Sequence, residues 1–395
     1  MSDTRKSTKP NVPNLRFPGF EGEWARCTLG EIGEPYIGLT YSPADVVSEG
    51  GTIVFRSSNI QNGEIDYSDI VRVNKIIKDS IITRKDDLLI CARNGSPRLI
   101  GKNALLKEAD EGQTFGAFML VFRSNDNHFV HQLLCTKGYN SQVSENLGAR
   151  INQITTSNIR DFEFCFPQST AERNKIAGFL DLIDERIAVQ SRLIEDLKKL
   201  RCAIVEKMFK QSKANGRLGD FIEQVSVRNK NGLYSNVLSV SNKQGFVKQS
   251  EQFEDRTVAS EDTSNYKIVK RNNFAYNPAR INVGSIARLT KFDVGIVSPM
   301  YVCFRTKASI IPEYMEAFFT SQQFFYEMMK RLEGSVRLCL SYEGLCNIPV
   351  YIPDMNKQIA MGQNISLILS KISLEIEYLG RLHQQKQYLL RKMFI

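Results

Sequence analysis

Three short stretches of this chain carry residue types at spacings that could do chemistry. NGSPRLIGKN (Asn94–Asn103) offers glycines and a lysine, as a phosphate-cradling loop does. Five residues separate Gly95 from Gly101 where that loop has four, and Asn103 stands where a magnesium-binding Ser or Thr is required. YNPAR (Tyr276–Arg280) has the Asn-Pro pair of DNA amino-methyltransferases but lacks the second proline and the aromatic residue. No glycine-rich strand-to-helix loop is present to hold a methyl donor. HFVH places His128 and His131 on one helical face, yet His383 is the only other histidine and no HExxH occurs. Packing on a helix therefore explains the pair better than a metal does. So few histidines also argue against a Ser-His-Asp triad, and no carboxylate cluster with a lysine marks a nuclease. The chain reads as a binder.

The residues suited to binding lie in polar loops of matching character in the two halves. FRSSNIQNG supplies Arg56, Ser57, Ser58 and Asn59; ARNGSPRLIGK supplies Arg93, Asn94, Ser96, Arg98 and Lys102; GARINQIT supplies Arg150, Asn152 and Gln153. Their counterparts are Ser241, Asn242 and Lys243 in SVSNKQG, Arg280, Asn282, Ser285 and Arg288 in ARINVGSIAR, and Arg337 in GSVR. Arginine grips guanine with two hydrogen bonds and Asn or Gln grips adenine, while Ser and backbone amides hold phosphates. Turn chemistry explains any single Gly, Asn or Ser here equally well. The repeated block Ala-Arg…Gly-Ser, at Ala92–Ser96 and Ala279–Ser285, tilts that motif towards function. A net charge of +9 and a pI near 9.0 suit a nucleic-acid partner.

The elements that must position these loops repeat as well. IVEKMFK ends one charged, leucine-rich stretch at Lys210, and LRKMFI ends another at Ile395. Ile176, Leu180, Ile183, Ile187, Ile194, Leu197, Ile204 and Met208 follow steps of four and three. Adding 185 gives Met361, Ile365, Ile368, Ile372, Leu379, Leu382, Leu389 and Met393. A 3.5-residue period held this long predicts a coiled-coil-like helix pair. Both copies are interrupted at Gln190 with Glu375 and at Arg201 with Lys386, which reads as register marking. Glu172 to Phe209 as helix would span ~57 Å, which makes an antiparallel pair easier to close than a parallel one. The expected organisation is a flexible arm over 1–14, a domain over 15–167, a helix over 168–212, a domain over 213–353 and a helix over 354–395. The fold class is α+β: two similar domains separated by two long antiparallel coiled-coil helices, an internal repeat with a pseudo-twofold axis.

The remaining composition excludes other classes. The longest apolar run, Phe115–Phe122, is far too short to cross a bilayer. The first residues lack an apolar stretch behind their basic ones, so no secretory signal is expected. Eight cysteines with no CxxC pair read as reduced thiols of a cytoplasmic protein.

With these residues in place, the chain resembles, along essentially its full length, the DNA-specificity subunits of type I restriction–modification systems. The resemblance rests on LRFPGFEGEW followed by LGE, on the loop leading to FP or IP before each helix, and on KMF closing both helices. Glu172-Arg173 departs from the family's usual Glu-Gln at the first helix start, and Lys357-Gln358 departs at the second. The resemblance implies two target-recognition domains that each read one half of a split, asymmetric sequence in double-stranded DNA. It implies helices that set the spacing and dock two methyltransferase subunits, through which restriction/translocase subunits join. It places no cofactor in this chain, with S-adenosylmethionine, ATP and magnesium on the partners, and no catalytic or metal site. Two competing readings are a protein-binding coiled-coil adaptor and a free-standing DNA-modifying enzyme. The steepness of duplex binding against salt separates the first from a DNA reader, and an activity assay on the isolated chain decides the second.

Overall fold

Short β-branched and aromatic runs bounded by turn residues form the strands, and a central antiparallel sheet recurs with one strand order in both halves. In the first half the order is Glu34–Ile37, Met119–Arg123, Leu88–Cys91, Asn103–Leu105. In the second it is Ile222–Gln224, Val302–Thr306, Phe274–Tyr276, Ile286–Arg288. Leu88–Cys91 is buried at every position because the two faces of the pleat meet different cores. Leu88 and Ile90 join Phe122, Phe129 and Leu180, whereas Leu89 and Cys91 join Phe55, Phe115 and Val121. A second sheet of the first half has Thr52–Phe55 between Val71–Val73 and the parallel Thr114–Phe115. The second half has the hairpin Leu238–Ser241 with Gly245–Lys248, and the pair Lys267–Lys270 with Val294–Val297.

This computed structural model describes residues 11–147, 152–210, 213–242, 244–252, 262–335 and 337–395. Residues 1–10 of the expected arm, Arg150 and Lys243 lie outside the described residues. The chain divides into two units, Met1–Ser191 with Glu377–Ile395, and Arg192–Ile376. The helices Thr170–Lys210 and Met355–Met393 each give one half to each unit. In the first unit the two segments run antiparallel. Lys386 Nζ meets Asp184 at 2.6 Å, and the Arg186 guanidinium lies 5.5 Å from the Tyr378 ring, so one number rises as the other falls.

Every seam residue named from the heptad period is buried or half-buried. At the helix ends, however, burial passes to the next residue. Val205 and Phe209 are more enclosed than Ile204 and Met208, and Leu390 and Phe394 join Leu389 and Met393. A straight helix drifts from a 3.5 repeat, so the last turn leaves the partner helix and packs on its own unit. Phe209 meets Tyr314 and Phe318, with centroids at 5.3 and 5.2 Å, and Phe394 meets Phe129 and Trp24 at 5.3 and 6.3 Å.

The helix starts repeat in function although their residues differ. Arg173 donates to the Pro167 carbonyl at 2.7 Å and to Asp126, the residue before helix Asn127–Leu133, at 2.8 Å. Gln358 donates to the Pro353 carbonyl at 3.0 Å and accepts from the N–H of Ile311, before helix Pro312–Phe319, at 3.0 Å. The buried Glu172 accepts from Arg16 Nε and Nη2, at 2.7 and 2.8 Å, and Leu15 N–H donates to Lys392 O at 2.8 Å. LRFPGFEGEW is thus the clamp that fastens the two helix segments to the first unit.

Candidate nucleic-acid interface

In the first unit, three polar loops far apart in sequence meet around one cleft of about 1120 Å³. Arg56, Ser57 and Ser58 line it from the end of Thr52–Phe55, Arg93 to Gly95 from the end of Leu88–Cys91, and Asn152 from the segment before helix Thr156–Asp161. Side-chain amides hold the loops together. Asn94 Nδ2 donates to Ser57 Oγ at 2.9 Å, Asn94 Oδ1 accepts from Ser96 N–H at 2.9 Å, and Asn152 Nδ2 donates to Gly95 O at 3.1 Å. Gln153 bridges to Arg93 through the backbone. Gly116, Ala117 and Phe118 complete the wall, and Ala92 and Arg93 N–H groups both donate to Phe118 O at 2.9 Å.

Electrostatics divides these residues by task. Arg93 is exposed, with its guanidinium 5.0 Å from the Phe118 ring centre. Arg56 pairs with Asp69 at 2.8 Å, and among the described residues its buried Nε meets no hydrogen-bond partner. Asn59 is enclosed: its amide donates to the carbonyls of Asp66 and Asp69, and its oxygen accepts from Arg56 N–H, so it builds the turn. Arg98 is exposed on the turn Pro97–Leu99 and Lys102 is half-buried, and neither lines the cleft. A strand, Asn103–Leu105, follows NGSPRLIGKN where a phosphate loop requires a helix.

The second unit ties its corresponding loops together by other residues. Ser285 is buried and donates to Val240 O at 3.1 Å, joining the strand Leu238–Ser241 to the loop after Phe274–Tyr276. Arg280, Asn242 and Arg337 are exposed, Asn282 and Ser241 half-buried. Arg288 is turned inward, to Glu313, to Glu316 at 2.9 Å and to Asn272 at 3.2 Å. Asn59, Ser285 and Arg288 therefore hold the scaffold instead of facing a ligand. Turn and core geometry claimed them, and sequence cannot distinguish an arginine on a loop from one buried beside two glutamates.

Sequence reading also missed a polar cluster beside the helix seam. His131 lies with Asp181 and Asp184, and among the described residues these three alone bring potential metal-ligand atoms together. Lys386 Nζ already sits 2.6 and 2.7 Å from the two Asp184 oxygens, and Gln132 Nε2 donates to both aspartates at 2.8 Å. A protein cation occupies the charge position, so the cluster reads as a salt-bridged joint. Burial holds the His131 imidazole down to about 4, whereas the hydrogen bond to Asp181 raises that of His128. Burial likewise pushes the thiols of Cys27 and Cys91 to about 11 and that of Cys303 to about 12, which keeps them protonated and poor nucleophiles.

Comparison with known proteins follows the same geometry. The solved S subunit of a type I restriction–modification system from M. genitalium superposes with a TM-score of 0.62 at 19% identity, over 97% of this chain and 99% of that one. A chain from a structural study of complex assembly and conformational transition in the type I R-M system gives 0.52 at 14% identity, over 96% and 98%. Both share the fold. In sequence, the specificity subunit of the StySPI type I restriction enzyme from Salmonella potsdam is 28% identical over 194 residues, 46% of this chain and 42% of that protein. The EcoKI specificity subunit from Escherichia coli K12 is 27% identical over 194 residues, 46% and 41%. The matched stretch thus spans less than half the length of these curated relatives. The family model for the type I restriction modification DNA specificity domain matches residues 21–199, the first unit's loops and most of the first long helix. On these matches, residues 21–199 are similar to the DNA specificity domain of type I restriction–modification systems, and the chain as a whole shares the fold of solved S subunits.

Proposed function

We propose that this chain is the non-catalytic, sequence-reading subunit of a type I restriction–modification complex, each unit reading one half of a bipartite, asymmetric duplex target. The observation that carries the reading is the convergence of Arg56, Ser57, Arg93, Asn94 and Asn152 on one cleft. In the second unit the loops on an equivalent sheet present different residues. A common scaffold with diverged loops is what two different half-sites require. The helices set the gap between half-sites and dock two methyltransferase subunits. A second apolar stripe supports two copies of one partner: Leu182 and Val189 in the first unit, and Leu367 and Leu374 at the same helix positions in the second, are all exposed. S-adenosylmethionine, ATP and magnesium would belong to the methyltransferase and translocase partners, and the complex would act in the cytoplasm. No helix among the described residues is long and apolar enough to cross a membrane.

The test is to express the chain with its methyltransferase in a host lacking such a system and to map methylated adenines across the genome. Methylation confined to one split motif, and dependent on this chain, is the expected result. Methylation that is absent, or unchanged without the chain, refutes the proposal.

A further inference from the structure

The apolar run that contains Phe118 hides an exposed aromatic ring. Phe118 is 58% exposed on the lip of the first unit's cleft, although residues 119–122 after it are all buried. Sheet register identifies its counterpart in the second unit. Phe122 lies opposite Leu88 and Arg123 opposite Glu34, and Phe304 lies opposite Phe274 and Arg305 opposite Glu223. Four residues before each of these phenylalanines stand Phe118 and Met300, and Met300 is 70% exposed. Two units with different loop residues both expose a large apolar side chain at the same topological position.

Neither residue is explained by packing in its own unit. In the first unit, the Phe118 carbonyl accepts the N–H groups of Ala92 and Arg93, and its ring lies beneath the Arg93 guanidinium at 5.0 Å. Backbone and ring together fix where Arg93 points. A cation stacked on an aromatic face keeps its outer edge free to donate, so the guanidinium is aimed before a ligand arrives. The ring beside it presents apolar surface to whatever the arginine grips. In a duplex groove the apolar feature beside a hydrogen-bonding base edge is the thymine methyl group or the face of a base step.

We propose that Phe118 and Met300 are specificity determinants that make direct apolar contact with base edges or base steps of duplex DNA, one in each half-site. This rests on the reading of the chain as a two-part DNA reader and assigns that reading a pair of residues outside the polar loops. Phe118 positions Arg93 and supplies the adjoining apolar contact, and Met300 supplies the equivalent contact in the second unit.

The experiment is selection from a randomised duplex library by the full chain co-expressed with its methyltransferase, for wild type, Phe118→Ala and Met300→Ala. Both side chains are exposed, so the variants should fold; unchanged thermal unfolding checks this, and Phe118→Leu keeps an apolar contact should alanine disturb the loop. Phe118→Ala should lower base preference by about fourfold or more at one or two adjacent positions of the first half-site, the worth of roughly one methyl-sized contact removed from water or more. Met300→Ala should do so in the second half-site only, and Phe118→Leu should restore part of the preference. Selection profiles identical to wild type for both alanine variants, or a loss spread evenly over all sequences, would overturn the proposal. If the wild-type complex enriches no sequence, it is the two-part reader itself that fails.

Discussion

Replacing Phe394 by alanine measures what the last turn of the second long helix does for the first unit. The side chain is 6% exposed and packs edge-on to Trp24 and tilted on Phe129, in the cluster that also holds Phe166, Ile176 and Leu180. Truncating such a residue removes its transfer free energy and leaves a cavity, together ~3–5 kcal/mol. Each aromatic pair lost lies within that figure at roughly 0.5–1.5 kcal/mol. Against a domain stability of about 5–15 kcal/mol this is a large share. For a unit in the 150–250-residue class, each 1 kcal/mol lowers the unfolding midpoint by roughly 2–4 °C, so a loss near 4 kcal/mol predicts a fall of about 8–16 °C. Hydrogen exchange resolved by peptide is the assay. Protection should fall in Leu88–Cys91 and Met119–Arg123 and persist in Phe274–Tyr276 and Val302–Thr306. Phe209→Ala, at 1% exposure against Tyr314 and Phe318, should give the converse. A cost below about 1 kcal/mol, or equal loss of protection in both units, would refute the view that each KMF turn is an anchor for its own unit.

Three further outcomes are expected. Arg93→Ala should lose ~1–3 kcal/mol of binding and relax one base of the first half-site if its guanidinium makes a two-bond base contact, as should Arg280→Ala in the second; unchanged binding by both folded variants would remove the arginines from the interface. A fragment ending at Lys213 lacks Leu382, Leu389, Leu390, Met393 and Phe394, which pack on Ile176, Leu180, Ile183 and Ile187, exposing apolar side chains at roughly 1.5–3 kcal/mol each. Leu197, Ile204, Val205, Met208 and Phe209 of a second copy stand at the equivalent positions, so sedimentation should show a homodimer and a stable monomer would contradict the repeat. The third concerns acid. The folded His131 value near 4 lies below the ordinary 6.5 because burial disfavours the cation, so the unfolded chain binds the proton more readily between them. Stability from the neutral ring is complete above about 6.5 and is lost as pH falls towards 4, by up to about 1.4 kcal/mol per pH unit. His128, raised by Asp181, acts in the opposite sense: its contribution is present below about 6.5 and lost as pH rises through its folded value. His131→Gln should therefore flatten the acid limb of the unfolding midpoint, and parallel curves for wild type and variant would disprove it.

Several features were determined along the chain itself. Period, offset and turn residues are local in sequence, and they established two long helices, the positions of their seams, two β-rich halves and the polar loops between the strands. Resemblance to a known family rested on the same local motifs. Tertiary structure decided which polar residues remain free. Arg93 and Arg288 are alike as residues on loop-like segments, yet one lies open over Phe118 and the other between Glu313 and Glu316. The helix ends were decided there too, because burial shifts from Met208 to Phe209 once the last turn meets Tyr314 and Phe318. Phe118 had no sequence signal of its own: it sits inside the unbroken apolar run Phe115–Phe122, and only the turn at Gly116 to Met119 sets the ring outside the core. Local pattern fixes where a side chain sits along an element, whereas exposure depends on partners brought in from tens to hundreds of residues away.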